Sequence, residues 1–220
     1  MGEDVIYDAY VEVRPDGTCL AQLLDLPGCV GRGADEASAL TALAAGIPDY
    51  YSWLRRHDDY TPDVRGPFQV ALMQAERERV VNGRMVGAFF APEAEPTTSE
   101  DLDWLLALLD WAYSDLCALL AVRPDTAARD ALATETAQEQ VWLVSRIEPQ
   151  PNVPRVEQLP GVPLDTLRQV WQASVHRLRE TSEEERGRVV EHDGERWSLR
   201  KVLRRSIQLA RMRAEAADVR

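Results

Sequence analysis

Trp197-Ser198-Leu199-Arg200-Lys201-Val202-Leu203-Arg204-Arg205 opens the last long helical stretch of this chain, and its pattern decides how the C-terminal part folds. Leu199, Val202, Leu203 and Ile207 recur at spacings of three and four, the apolar stripe that a helix buries in a bundle. The positions between them are basic, and from Arg186 to Arg213 nine bases stand against three acids. Long arginine stems lie over an apolar helix while their heads stay in water, so this run reads as an exposed helical face.

Working back from that stretch, three more helices are legible. The eight residues Ala91-Pro92-Glu93-Ala94-Glu95-Pro96-Thr97-Thr98 read as a linker, and Thr98 or Ser99 is placed to cap the first of these helices. That helix carries Leu102, Leu105, Leu106, Leu109, Tyr113, Leu116 and Leu120 on one stripe. Trp104, Leu108 and Trp111 form a second flank, which makes it either central in a bundle or part of a dimer face. A further helix ends in Val141-Trp142-Leu143-Val144-Ser145-Arg146-Ile147, and a proline-rich connector from Glu148 to Val162 is long enough to cross a bundle. The third bundle helix starts at Pro163 and turns Leu164, Leu167, Trp171, Val175 and Leu178 inward. Residues 99–220 are therefore expected to form a four-helix bundle dominated by antiparallel helices.

Residues 1–90 have a different texture. Val5, Tyr7, Ala9, Val11 and Val13 alternate with Ile6, Asp8, Tyr10 and Glu12, the period-two signature of a strand with one buried face. Arg14-Pro15-Asp16-Gly17 makes a turn into a second strand from about Thr18 to Leu24. Asp25-Leu26-Pro27-Gly28-Cys29-Val30-Gly31-Arg32-Gly33 comes next, then a helix capped by Asp35 with Ala37, Leu40, Ala44, Ile47, Tyr51 and Leu54 as its stripe. Pro48 after Gly46 is expected to split this helix, because proline suits a first turn and not an interior. Phe68-Gln69-Val70-Ala71-Leu72 closes the domain as a strand. The fold class is α+β, with a small α/β domain over 1–90, a linker over 91–98 and the bundle over 99–220.

Composition narrows the function. A net charge of -12 argues against binding a phosphate backbone, whose affinity comes from basic side chains. No run of about 18 apolar residues and no basic N-terminal leader are present, so the expectation is a cytoplasmic protein with no membrane role. Cys19, Cys29 and Cys117 are odd in number, far apart and in no paired motif, which suits a reducing compartment and small buried hydrophobes. Of 25 basic residues only Lys201 is a lysine, a bias read as genomic. There is no Ser/His/Asp arrangement, no phosphate loop and no CxxC pair.

The order strand, Asp-Gly-Thr turn, strand, Asp-Leu-Pro-Gly-Cys, glycine and capped helix resembles the HicB-like domain of toxin-antitoxin systems over about Val5 to Ala75, with Asp35 where the usual cap is threonine. The resemblance implies a protein partner at this domain, since such domains pair with a small RNA-cleaving toxin; no DNA-binding tail is recognisable. The stretch from Ser182 to Arg205 resembles the DinB-like four-helix bundles over roughly Pro96 to Arg213, and the pairing of the two domains resembles a group of bacterial proteins. Known DinB-like members are metal-dependent thiol transferases, isomerases and hydrolases with three histidine ligands. By that resemblance two ligands would fall at Leu209 and Arg213 and the first at Glu135. Leucine cannot ligate a metal and arginine repels one, so a metal-free bundle without a cofactor is expected, with Arg213 reaching solvent or pairing with Glu135. His57 suits a helix end, His176 the boundary of the third bundle helix and His192 a turn. Two function classes remain. One is a non-catalytic binding or scaffold protein, a homodimer through Trp104, Leu108 and Trp111. The other is a divergent DinB-like enzyme of the thiol transferase or hydrolase class acting on a small molecule, using Glu135, His176 or a cofactor thiol.

Overall fold

The computed structural model describes residues 5–58, 61, 67–81, 84–147 and 163–218. The chain is an α+β protein that divides into two compact units, Met1–Pro92 with Asp193–Glu195, and Glu93–His192 with Arg196–Arg220. The connector from Glu148 to Val162 lies outside the described residues.

In the first unit, strands β1 (Val5–Val13), β2 (Cys19–Leu23) and β3 (Val30–Gly33) form an antiparallel meander, helix α1 (Glu36–Leu54) comes next, and β4 (Phe68–Arg77) returns parallel to β1. The strand order is β3-β2-β1-β4, which leaves β4 at an edge, and a short hairpin of β5 (Arg79–Val81) and β6 (Arg84–Val86) comes after it. Gly17, at φ 88°, supplies the left-handed residue of the first turn. Asp35 caps α1 by accepting from the Ser38 amide at 2.8 Å, and the Ser38 side chain closes a capping box.

Several sequence expectations change here. Strand β1 is not buried on one face only: Ala9, Tyr10, Val11 and Glu12 are all buried, because α1 covers one side and Phe90 packs on Tyr10 from the other at 5.2 Å between ring centroids. Glu12 is satisfied there by the Gln22 amide at 3.1 Å. Strand β4 runs five residues beyond the expected Leu72, with a register shift against β1 between Ala9 and Tyr10. The inward face of α1 is Ala39, Leu43, Ile47, Tyr50, Trp53 and Leu54, rotated from the expected stripe, so that Ala37 is exposed. The reason is backbone contact. A Cβ on Gly31 would lie 2.1 Å from the Leu43 amide nitrogen, and one on Gly33 would lie 2.3 Å from that of Ala39. Two glycines two residues apart on β3 thus let the helix press directly onto the strand and fix which face it turns inward. Pro48 does not split α1, which continues through it with Pro48 itself exposed. Burial of Tyr50, Trp53 and Leu54 beyond the proline holds the last turn in place.

In the second unit the stretch read as a linker is ordered. Ala91–Ala94 is a 3-10 turn, and Glu93 and Thr97 are buried. Thr98 caps α2 (Ser99–Val122) through a box with Asp101, and Asp125 caps α3 (Thr126–Val144). Then come α4 (Pro163–Arg179), the single turn α5 (Glu183–Arg186) capped by Ser182, the hairpin β7 (Val190–His192) and β8 (Glu195–Trp197), and α6 (Leu199–Asp218). Between β7 and β8, Asp193 at φ 56° and Gly194 at φ 79°, residues grouped with the first unit, make the two-residue left-handed turn that matches the strand twist.

The bundle is not dominated by antiparallel neighbours. Helix α2 packs most closely on α6, and α3 on α4, with α2–α4 and α3–α6 completing the ring. Arg200 pairs with Asp101 at one end of α2–α6, while at the other Arg123 donates to the Ala217 carbonyl at 3.3 Å, so these helices are parallel. Trp171 stacks on Tyr113 and Arg168 lies by Cys117, so α2 and α4 are antiparallel; Trp142 meets Trp197 and Glu135 meets Arg213, so α3 and α6 are antiparallel as well, which leaves α3 parallel to α4. Helix α2 is long and apolar enough to cross a bilayer, yet ten of its residues are buried in the bundle. Leu199, Val202, Leu203 and Ile207 are all within the core, as their spacing requires. Leu199→Ala is expected to destabilise the protein by about 2–5 kcal/mol in urea unfolding, with the slope of the transition unchanged.

Candidate functional site

Helix α6 carries the side chains that the bundle treats least like a surface. Lys201 and Arg204 are buried, although the basic run around them reads as a solvated face. The Arg204 Nε donates to Glu93 Oε1 at 2.7 Å, and both side chains are almost wholly removed from water. Lys201 Nζ donates to the Arg196 carbonyl at 3.0 Å and stands 4.4 Å from the centroid of the buried Trp197 ring. Trp142 meets that ring edge-on, and the Arg205 guanidinium lies 5.6 Å from its centroid. A desolvated cation over an indole face is worth about 2 kcal/mol. Where 24 of 25 bases are arginine, the one lysine is the fully buried cation that lies over the Trp197 ring.

Further along α6 are the positions that the DinB-like resemblance assigns to metal ligands. Leu209 is buried. Arg213 lies between two carboxylates of α3, with Nη1 3.4 Å from Glu135 Oε2 and Nη2 3.5 Å from Glu139 Oε2. Glu135 and Arg213 thus come together as expected, and Glu139 joins them. His176 does not: its side chain is 75% exposed on α4, where it faces Glu180 at 3.4 Å. These residues do not fit a metal, because a permanent cation occupies the centre of the carboxylate pair at that level. Among the described residues no group of three histidine, cysteine or carboxylate side chains is placed to hold an ion. All three members of the arginine cluster are partly exposed, so each pair contributes about 0–1 kcal/mol and acts mainly as a local charge balance.

Deeper in the same end of the bundle, Tyr113 of α2 donates to Gln140 Oε1 of α3 at 3.0 Å. These helices stand diagonally in the ring, so the bond crosses the core. Trp171 of α4 stacks on the Tyr113 ring, 6.1 Å between centroids and 13° between planes. Burial first, and then the Glu139 carboxylate, push the Tyr113 hydroxyl well above the ordinary tyrosine range, which keeps it a donor. The sequence placed Tyr113 and Trp171 on inward stripes but had no signal for Gln140, a polar residue on a helix of weak amphipathic pattern.

The other residues singled out in the sequence lie apart from this level. Trp104 and Trp111 are half-buried and pack edge to face at 5.8 Å, whereas Leu108 is wholly buried behind them in the bundle's own core. The expected face is therefore two tryptophans wide, because Leu108 turns toward the centre of the bundle. His57 lies against Trp53 at 5.4 Å, and His192 ends β7. Cys19, Cys29 and Cys117 are buried free thiols, and burial pushes Cys117 up to about 11.

Tyr113→Phe should cost about 1–3 kcal/mol by leaving Gln140 Oε1 without its donor, while the double change with Gln140→Leu should recover most of it. Stability should also fall above about pH 10, because the unfolded chain ionises its tyrosines there while the folded Tyr113 holds its proton; a profile flat to higher pH would contradict this. Iodoacetamide at pH 8 should label no cysteine in the native protein and all three after unfolding. Comparison of the chain with models of protein families, with curated proteins and with solved structures found no match.

Proposed function

We propose that this is a non-catalytic binding or scaffold protein of the bacterial cytoplasm, in which a HicB-like domain takes a protein partner and a metal-free, DinB-like bundle forms a homodimer. The observation that carries the reading is Arg213: at the helix position where such a bundle would bring a ligand, a guanidinium is paired with Glu135 and Glu139. A divalent ion about 5 Å from that charge meets a repulsion of several kcal/mol at an effective dielectric of about 20, equivalent to orders of magnitude in affinity.

Two surfaces support the binding role. Trp104 and Trp111 leave half-open indole area on α2, a liability that a second copy would cover. On the first unit, Val5, Ile6, Leu72 and Met73 are exposed on β1 and the edge strand β4, where an added chain could reach both backbone and apolar side chains.

Light scattering at micromolar concentration is expected to give a dimer that Trp104→Glu converts to monomer. Metal analysis of protein purified without chelator or affinity tag is expected to find well under one equivalent of zinc or nickel. A monomeric parent would overturn the scaffold role of the bundle. Stoichiometric metal lost on Glu135→Gln would overturn the metal-free reading.

A further inference from the structure

The bundle core holds polar groups that its packing does not use. Gln140 Nε2, Trp171 Nε1, Ser174 Oγ and Ser206 Oγ are buried and make no hydrogen bond among the described residues. Gln140, Ser174 and Ser206 are fully buried side chains on three different helices. Each such group left unmatched in a core is destabilising, and native cores keep few of them without a reason.

These groups fall within about one helical turn of one another along the bundle. Trp171 stacks on Tyr113, and Tyr113 is bonded to Gln140, which ties α2, α3 and α4 together there. Ser174 is one turn along α4 from Trp171 on the same face. On α6, contacts of Asp101 with Arg200 and of Arg123 with Ala217 bracket Ser206 and Ala210 at the level of Leu109 and Tyr113. Ser206, Ala210 and Arg213 succeed one another at spacings of four and three, so the cluster leads along α6 to the Arg213 end. Ala112, Ala137 and Ala210, on the adjoining turns of α2, α3 and α6, are buried and small.

The chemistry of the unused groups selects the occupant. Gln140 Nε2 and Trp171 Nε1 can only donate, and the two serine hydroxyls can do so. A cation is therefore unsuited. An anion is disfavoured as well, because the nearby Glu135, Glu139 and Arg213 together carry one negative charge in excess. The class that fits is an uncharged molecule with an accepting oxygen and a small apolar body.

We propose that the centre of the bundle is a binding site for a small neutral carbonyl or amide compound, whose oxygen accepts from Gln140 Nε2 and Trp171 Nε1 and whose body lies among Ser174, Ser206 and the surrounding alanines. This rests on the metal-free reading of the bundle and adds a ligand class to it.

Acetamide and 2-butanone, titrated into the full-length nitrogen-15-labelled protein, test this, with acetate and methylammonium as charged counterparts. The readout is the Trp171 indole N–H signal, picked out from the six tryptophans by Trp171→Phe. At least one neutral probe should shift it saturably with a Kd of about 1 mM or tighter, and the charged probes should not. Gln140→Leu combined with Tyr113→Phe, which removes the Gln140 Nε2 donor and leaves no stranded partner, should weaken that binding by about tenfold while leaving the protein folded. A purely structural or water-filled core predicts no saturable shift, and that result overturns the proposal, as does a shift equal for all four probes or one untouched by the loss of the Gln140 donor. Metal content measured on the same sample reports separately on the metal-free reading, so either failure is recognised for what it is.

Discussion

The second unit depends on one buried ion pair, Arg204 with Glu93. Bringing a guanidinium and a carboxylate out of water costs several kcal/mol each, and only close geometry and further hydrogen bonds offset it. Here the contact is 2.7 Å and joins the second turn of α6 to the 3-10 turn that begins the unit. With Glu93 anchored, the next stretch of chain is held too: Arg200 donates to the carbonyls of Glu95 and Pro96, at 3.2 and 3.1 Å, and pairs with Asp101 in the first turn of α2. Burial works against the charge on Asp101, but the Thr98 hydrogen bonds and the Arg200 charge together hold its carboxyl below the ordinary range. The start of α2 is thus set from α6, and the parallel packing of these two helices is a consequence.

The same helix explains why a strongly basic run belongs inside a bundle. Its cations are graded by burial: Lys201 rests on Trp197, Arg204 on Glu93, and Arg213 sits at a more open level between Glu135 and Glu139. Protein groups compensate each charge. A helix whose cationic side chains are committed in this way serves as the spine of the unit.

Periodicity made the large features legible because it reports which face is apolar. The stripe of α6, the caps Asp35 and Thr98, the hairpin with Gly17 and the Asp193-Gly194 turn all arise from local chemistry written in adjacent residues. Features that depend on partners distant in sequence were not legible. The rotation of α1 comes from its approach to Gly31 and Gly33, and the continuity of α1 through Pro48 from burial of the turn beyond it. A run of arginines looks the same whether it faces water or a carboxylate more than a hundred residues away, so the burial of Arg204 was hidden. Leu108 was misassigned to the outer flank because a helix apolar over two stripes does not say which one is central. For the candidate site, the pairing of Glu135 with Arg213 was one of two outcomes that the register of the DinB-like resemblance left open, while Gln140, Ser174 and Ser206 carried no one-dimensional signal.

The cations of α6 are structural, compensated inside the protein and positioned by it. A double-mutant cycle on Glu93→Gln and Arg204→Met, read by urea unfolding, tests that claim most directly. Each single change is expected to lower stability by about 3–5 kcal/mol, since each strands a buried partner. The double mutant is expected to lose less than the sum of the two by at least about 2 kcal/mol. Single changes costing under about 1 kcal/mol, or losses that simply add, would contradict a structural role for these charges.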